Sequence, residues 1–109
     1  NYNIMNAIIN PIRKFQTGQI LSSELVYNDI LNAENFSKFC EESLHRHQTC
    51  DWGDMPDEDK QSNEDALIGE GRIFSGYIIP EDIKANGSKI WIITEWDRSV
   101  TTILYPSEY

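Results

Sequence analysis

Apolar positions along this chain change their spacing near Gly71. Before it they recur at helical intervals, and after it they alternate or cluster as strands do. Ser23-Glu24 reads as a helix start, with Leu25, Val26, Ile30 and Leu31 supplying the apolar side. Asn32 or Asn35 can cap a second helix in which Phe36, Phe39, Cys40, Leu44 and His47 share one face. Pro56 fits the first turn of a third helix, with Asp57, Glu58 and Asp59 near its positive end. That helix carries Ala66, Leu67 and Ile68 and stops at Gly69 or Gly71. Residues 72–79, 89–96 and 99–105 are β-branched and aromatic, as strands should be, and residues 12–22 predict an earlier strand. Asn86-Gly87 and Trp96-Asp97-Arg98 supply the links, and Pro106 ends the sheet. Alternation places Trp91 and Ile93 together on the core side.

The order β-α-α-α-β-β-β predicts an α+β fold: about three helices packed on a mainly antiparallel sheet of three to four strands. Residues 1–14 read as an N-terminal extension and 15–109 as a single domain. The size, 109 residues, fits one domain with a real but thin core, for which a metal staple is physically useful. The longest apolar run, Ile90-Trp91-Ile92-Ile93, is far too short to span a membrane. Asn6, Asn10 and Pro11 interrupt what would be the apolar core of an export signal, so a reducing cytoplasm is the expected location.

The formal charge of −9 disfavours direct binding to nucleic-acid phosphate. It suits a basic protein surface, including a nucleic-acid channel that an acidic protein could fill. For an arbitrary acidic domain, solubility alone explains such charge.

Both cysteines and both histidines fall within one short stretch: Cys40, His45, His47 and Cys50. Thiolate sulfur and imidazole nitrogen are the ligands that Zn²⁺ prefers, and four of them make a closed structural site. If the second helix runs unbroken to His47, Cys40 lies about 10 Å from it along the axis, too far to share one ion. The ligand set is then His47 with Cys50, supported by His45 or Asp51, with Asp54 a further carboxylate. The alternative is that Cys40 is a small buried hydrophobe and the histidines serve a helix C-terminus.

Asp51, Asp54, Asp57, Glu58, Asp59, Glu64 and Asp65 crowd one region opposed there only by Lys60. This is either a solvated helix face or an interaction face for a basic partner. Trp52, beside Gly53 in a loop, is the expected exposed anchor for that partner. Thr94-Glu95-Trp96-Asp97-Arg98-Ser99 reads as an ion-pair and turn network, with paired-carboxylate catalysis as its rival.

From about Phe15 onward the chain resembles a family of small proteins of bacterial plasmids and phages. The resemblance rests on His47, Asp51-Trp52-Gly53-Asp54, Asp59, Asn63, Ala66-Leu67, Arg72, Ser75 and Tyr77. It continues through Ile90-Trp91-Ile92-Ile93-Thr94-Glu95 and Asp97-Arg98-Ser99-Val100-Thr101-Thr102 to Leu104, Pro106 and Glu108-Tyr109. One branch looks like the phage-encoded anti-CRISPR proteins that inhibit type II-A RNA-guided nucleases, among which a zinc-containing member blocks target-DNA loading. The resemblance implies a non-enzymatic inhibitor with structural zinc, acting in the cytoplasm of the bacterial host; separately, a monomer is expected. Cys50 stands where that family is expected to have Gly, and Cys40 and His45 lie outside its motif. Either the zinc site is a local elaboration, or a shared site uses His47 with Asp51 and other carboxylates. The rivals are a small metallohydrolase built on His47, Asp51 or Glu95, and an acidic, antitoxin-like partner of another basic protein.

Overall fold

The computed structural model describes residues 13–109, so the expected N-terminal extension, apart from Arg13 and Lys14, lies outside the described residues. Strand β1 (Gln19–Ser22) is shorter than its apolar run predicts, because Gly18 turns the chain at a φ of 61° just before it. Helix α1 (Glu24–Asn32) begins at Ser23, whose hydroxyl accepts from the Val26 amide. The Glu108 carboxylate accepts from the Ser23 hydroxyl (2.5 Å) and the Leu25 amide (3.1 Å). A negative group thus sits at the positive end of α1 and ties the last residues to the first helix.

Helix α2 (Glu34–Gln48) follows one extended residue, Ala33, which makes no side-chain cap. Neither predicted asparagine caps it: Asn32 closes α1 and Asn35 lies inside the first turn of α2. Helix α3 (Asp57–Ile68) starts after Pro56 and stops at Gly69, as the sequence predicts. Strands β2 (Ile73–Ile78), β3 (Lys89–Thr94) and β4 (Val100–Leu104) complete the sheet, followed by a 3₁₀ turn at Pro106–Glu108. The strand order is β1-β4-β3-β2, with β1 parallel to β4 and the other pairs antiparallel. The α+β architecture holds, with a mixed sheet.

The register assigns the two faces. Ser75, Ile92 and Ile103 stand opposite one another, as do Tyr77 and Ile90, and this face meets α1 and α2 through Val26, Phe36 and Cys40. Trp91 pairs with Gly76 and Leu104, and Ile93 with Phe74 and Thr102, on the other face. Trp91 and Ile93 therefore do share a face, but it is not the one the helices cover. Tyr109 packs there instead, edge-on to Trp91 at 5.7 Å between ring centroids. A second apolar cluster of Cys50, Trp52, Ala66 and Ile73 lies under α3.

The outer edge of β2 is closed by polar groups. Asn63 on α3 presents its side-chain amide like a neighbouring strand: Nδ2 donates to the Phe74 carbonyl (2.8 Å) and Oδ1 accepts from the Phe74 amide (2.9 Å). Two residues on, Gly76 exchanges bonds with the Trp52 carbonyl (3.3 Å) and the Asp54 amide (2.7 Å). The Asp54 carboxylate then accepts from the Ile78 amide (2.9 Å). Every second residue of the edge is thus satisfied, which removes a template for unwanted strand pairing. Gly53 permits this approach: its φ is 73°, and a Cβ there would run into the Gly76 carbonyl.

Asn63 is 2% exposed, so removing its amide leaves two buried backbone groups without partners. Asn63→Ala is expected to cost about 2–3 kcal/mol in urea denaturation. Faster hydrogen exchange at the Phe74 amide would locate the damage. Exchange unchanged at that amide would show that the clamp does not hold the edge.

Candidate functional site

Of the residues singled out by chemistry, His47, Cys50 and Asp51 lie together at the C-terminal end of α2, while Cys40 and His45 stand apart from them. His47 is fully buried, and both ring nitrogens are engaged. Nδ1 lies 2.5 Å from Ser75 Oγ on β2, and Nε2 lies 2.8 Å from Thr94 Oγ1 on β3. Thr94 Oγ1 is 2.6 Å from Thr101 Oγ1 on β4, and the Thr101 hydroxyl donates to the Thr17 carbonyl at 2.7 Å.

The directions follow from the far end of the chain. A carbonyl can only accept, so the single Thr101 proton goes to Thr17 and Thr101 accepts from Thr94. Thr94 must then accept from His47, which places the imidazole proton on Nε2 and leaves Nδ1 to accept from Ser75. The chain thus fixes the Nε2 proton, and burial keeps the ring neutral so that Nδ1 accepts. Burial alone pushes the ring's pKa down to about 3. Phe15 packs edge-on against the ring at 5.2 Å between centroids, and Trp52 at 6.2 Å.

Cys40 belongs to the other core, beside Val26 and Phe36, where burial pushes its thiol up to about 12. Helix α2 runs unbroken from Glu34 to Gln48, so Cys40 and His47 keep their separation of about 10 Å along the axis. His45 is on the exposed side. Cys50 is packed with Trp52, Ala66 and Ile73, and burial raises its pKa as well.

Its backbone explains why the helix ends there. Cys50 has a φ of 68°, its amide donates to the His47 carbonyl (3.1 Å), and the Asp51 amide donates to the Arg46 carbonyl (2.8 Å). This is a Schellman ending, whose left-handed position glycine fills most easily. A Gly expected at position 50 therefore reflects a helix stop.

The remaining candidates have structural partners too. Arg46 grips Asp51 through two bonds (2.7 and 3.2 Å), which hold that carboxyl below its usual range. Tyr77 donates to the Asp51 carbonyl (2.7 Å). Trp52 is buried, contrary to its expected role as an exposed anchor, because its indole N–H reaches Glu64 (2.8 Å) while its ring fills the space under α3. Arg13 also binds Glu64 (2.6 and 3.0 Å), and Arg13 first, then Trp52, draws that carboxyl's pKa down. Asp54 clamps β2.

At the strand corner Asp97 accepts from the amide and hydroxyl of Ser99, while Glu95 pairs with Arg72 at 3.4 Å. Arg98 meets no carboxylate among the described residues. At a φ of 60° it donates to the Ala66 (2.8 Å) and Gly71 (2.6 Å) carbonyls, closing the C-terminal end of α3.

Among the described residues no three His, Cys, Asp or Glu side chains stand together as metal ligands. The donor chemistry agrees: a ring with both nitrogens engaged and two buried thiols do not fit a shared zinc ion, and the predicted staple finds no support in this arrangement. Asp57, Glu58, Asp59 and Asp65, by contrast, are exposed and make no ion pair among the described residues. Ser75 and Thr94 as His47 partners, and Thr101 as the link beyond them, had not been expected from the sequence, nor had Asn63 as an edge clamp. Alternation and the polar residue in each strand's core face were the signals that could have found the first three. No family model, no curated protein and no solved structure matches the chain.

His47 takes up a proton when unfolded at its ordinary value of 6.5, but only near 3 when folded. Its contribution is complete above 6.5 and is lost as the pH falls toward 3. Urea titrations between pH 7.5 and 5.5, above the ordinary values of 3.8 for Asp51 and 4.5 for Glu64 and Glu108, should show stability falling with a slope that approaches about 1.4 kcal/mol per pH unit at the lower end. His47→Gln should remove that slope. A wild-type profile flat over this interval would contradict the buried neutral ring. Chelation with phenanthroline should leave the melting temperature unchanged, and a large drop would restore the zinc staple.

Proposed function

We propose that this protein acts by binding, as an acidic ligand of a large basic nucleic-acid-handling protein. In its specific form the reading is an anti-CRISPR inhibitor that occupies a type II-A RNA-guided nuclease of a bacterial host and interferes with target-DNA loading. The observation that carries it is the division among the carboxylates. Asp51, Asp54 and Glu64 are held by partners elsewhere in the fold, whereas Asp57, Glu58, Asp59 and Asp65 on α3 face solvent without an ion pair among the described residues, and Asp65 accepts only from Gln61 one turn away.

Surface acids of this kind contribute little to folding stability, but they raise encounter rates with a positive surface. A channel built for nucleic-acid phosphate presents such a surface, and a chain of charge −9 competes for it. The motif resemblance supplies the identity of the target. No zinc is needed for this reading, which places the protein in the host cytoplasm as a monomer. No helix among the described residues is long and apolar enough to cross a membrane.

The test is DNA binding and cleavage by a purified type II-A nuclease with and without the chain. At saturating protein both should be lost, and raising salt from about 0.1 to 0.5 M should weaken the inhibition as the charges are screened. Reversing Asp57, Glu58, Asp59 and Asp65 to Lys should weaken inhibition by at least about tenfold while leaving the melting temperature within a few degrees. DNA loading unaffected by saturating wild-type protein overturns the inhibitory reading.

A further inference from the structure

The open face of the sheet carries a cleft bordered by the acidic helix. Its floor is Phe74 and Trp91, in edge contact at 4.9 Å between ring centroids. Met55 closes it over Gly76, where a side chain would crowd both neighbours: a Cβ would stand 3.1 Å from the Met55 sulfur and 3.3 Å from Trp91 Cδ1. Helix α3 supplies the wall with Asp59 and Ser62, and the cleft encloses about 450 Å³. That lies within the range of roughly 300–1,000 Å³ over which pockets hold small ligands.

Two charged groups border this space, and only one is available. The Arg72 guanidinium donates to the Tyr109 hydroxyl (2.9 Å), pairs with Glu95 (3.4 Å) and lies over the Tyr109 ring. Asp59 has no ion-pair partner among the described residues, and Asp57 and Glu58 precede it on the same helix. An incoming group therefore meets an apolar, aromatic floor beneath a negative rim. Charge on the rim governs approach, whereas burial of an aromatic anchor governs how long a partner stays.

We infer that this cleft is the anchor site for a basic partner segment. One aromatic or long aliphatic side chain enters against Phe74 and Trp91, while a neighbouring Lys or Arg meets Asp59. The inference rests on the binding role proposed above and names the place where that role is concentrated.

Two tripeptides test it by NMR on the full chain: acetyl-Lys-Phe-Lys-amide and its Glu-Phe-Glu counterpart. The basic peptide should shift the Trp91 indole, Met55 methyl and Phe74 ring signals, and the acidic one should not. Asp59→Lys should weaken the basic peptide by about tenfold. Ser62→Phe, an exposed substitution that fills the cleft without changing charge, should abolish its shifts.

Shifts confined to other surfaces, or equal binding of both peptides, overturn the inference. So does broadening at Met55 and Trp91 on raising protein concentration alone, which assigns the face to a second copy. Nuclease inhibition separates the two proposals. Wild-type inhibition that survives intact in Ser62→Phe removes the cleft and leaves the inhibitory reading standing. Absence of wild-type inhibition removes that reading, and the peptide shifts still decide the cleft.

Discussion

The hydrogen-bonded chain from Ser75 through His47, Thr94 and Thr101 to the Thr17 carbonyl fixes the arrangement of this domain. It joins α2 to three strands and to the segment entering β1. From His47 Nε2 to the Thr17 carbonyl every link runs in one direction, and burial keeps the ring neutral so that Nδ1 accepts from Ser75. A buried polar group without its partner costs about as much as several methylenes of apolar burial gain. Any sliding of α2 along the sheet would strand several such groups at once. Apolar packing of Phe36 and Cys40 sets the helix against the sheet, and the polar chain sets its register.

Register at His47 then determines the path of the backbone beyond α2. The helix ends three residues later in a left-handed turn at Cys50, which sends the chain back toward β2. Asp51 is caught by Arg46, Trp52 fills the space under α3, and Gly53 brings the backbone against Gly76. Asp54 and Asn63 complete the closure of the edge strand. A run of residues that looks like a reactive cluster in sequence is thus a continuous length of structural joinery. The helix stop at position 50 would suit glycine, and the cysteine side chain there fills a small apolar gap beside Trp52, Ala66 and Ile73.

The sequence made the elements legible because their signals are local. Ser23 before an apolar stripe, Pro56 before acidic residues, Gly69 after Ile68 and β-branched runs beyond Gly71 each report on their own neighbourhood. What it hid was pairing between distant residues. Nothing near Gln19–Ser22 says that it will lie parallel to β4, because that choice follows from the three-helix excursion between them. Alternation grouped Trp91 with Ile93 correctly, yet which face the helices cover depends on α1 and α2. His47 was recognisable as unusual, but its partners are single hydroxyls on two distant strands, with a third strand supplying the next link. Imidazole and thiol side chains close in sequence imitate a metal motif whenever a helix C-terminus needs a buried polar ring and a small residue.

The consequence for function lies in which charges remain available. Asp29 accepts from Asn86 and Tyr105, Asp97 from Ser99, and Glu108 from the start of α1, in addition to the clamps around His47. A carboxylate already accepting from the fold loses folding interactions if a partner draws it away. Among the described residues Asp57, Glu58 and Asp59 have no such ties and Asp65 accepts only from Gln61 on its own helix, so their field points outward. They belong to α3, which the Asn63 clamp fixes against the same strand edge that leads to Phe74. The rigid element that seals the sheet therefore also sets the distance between negative charge and the half-buried aromatic floor of the cleft. A partner that needs both at once can discriminate this domain from an acidic helix alone.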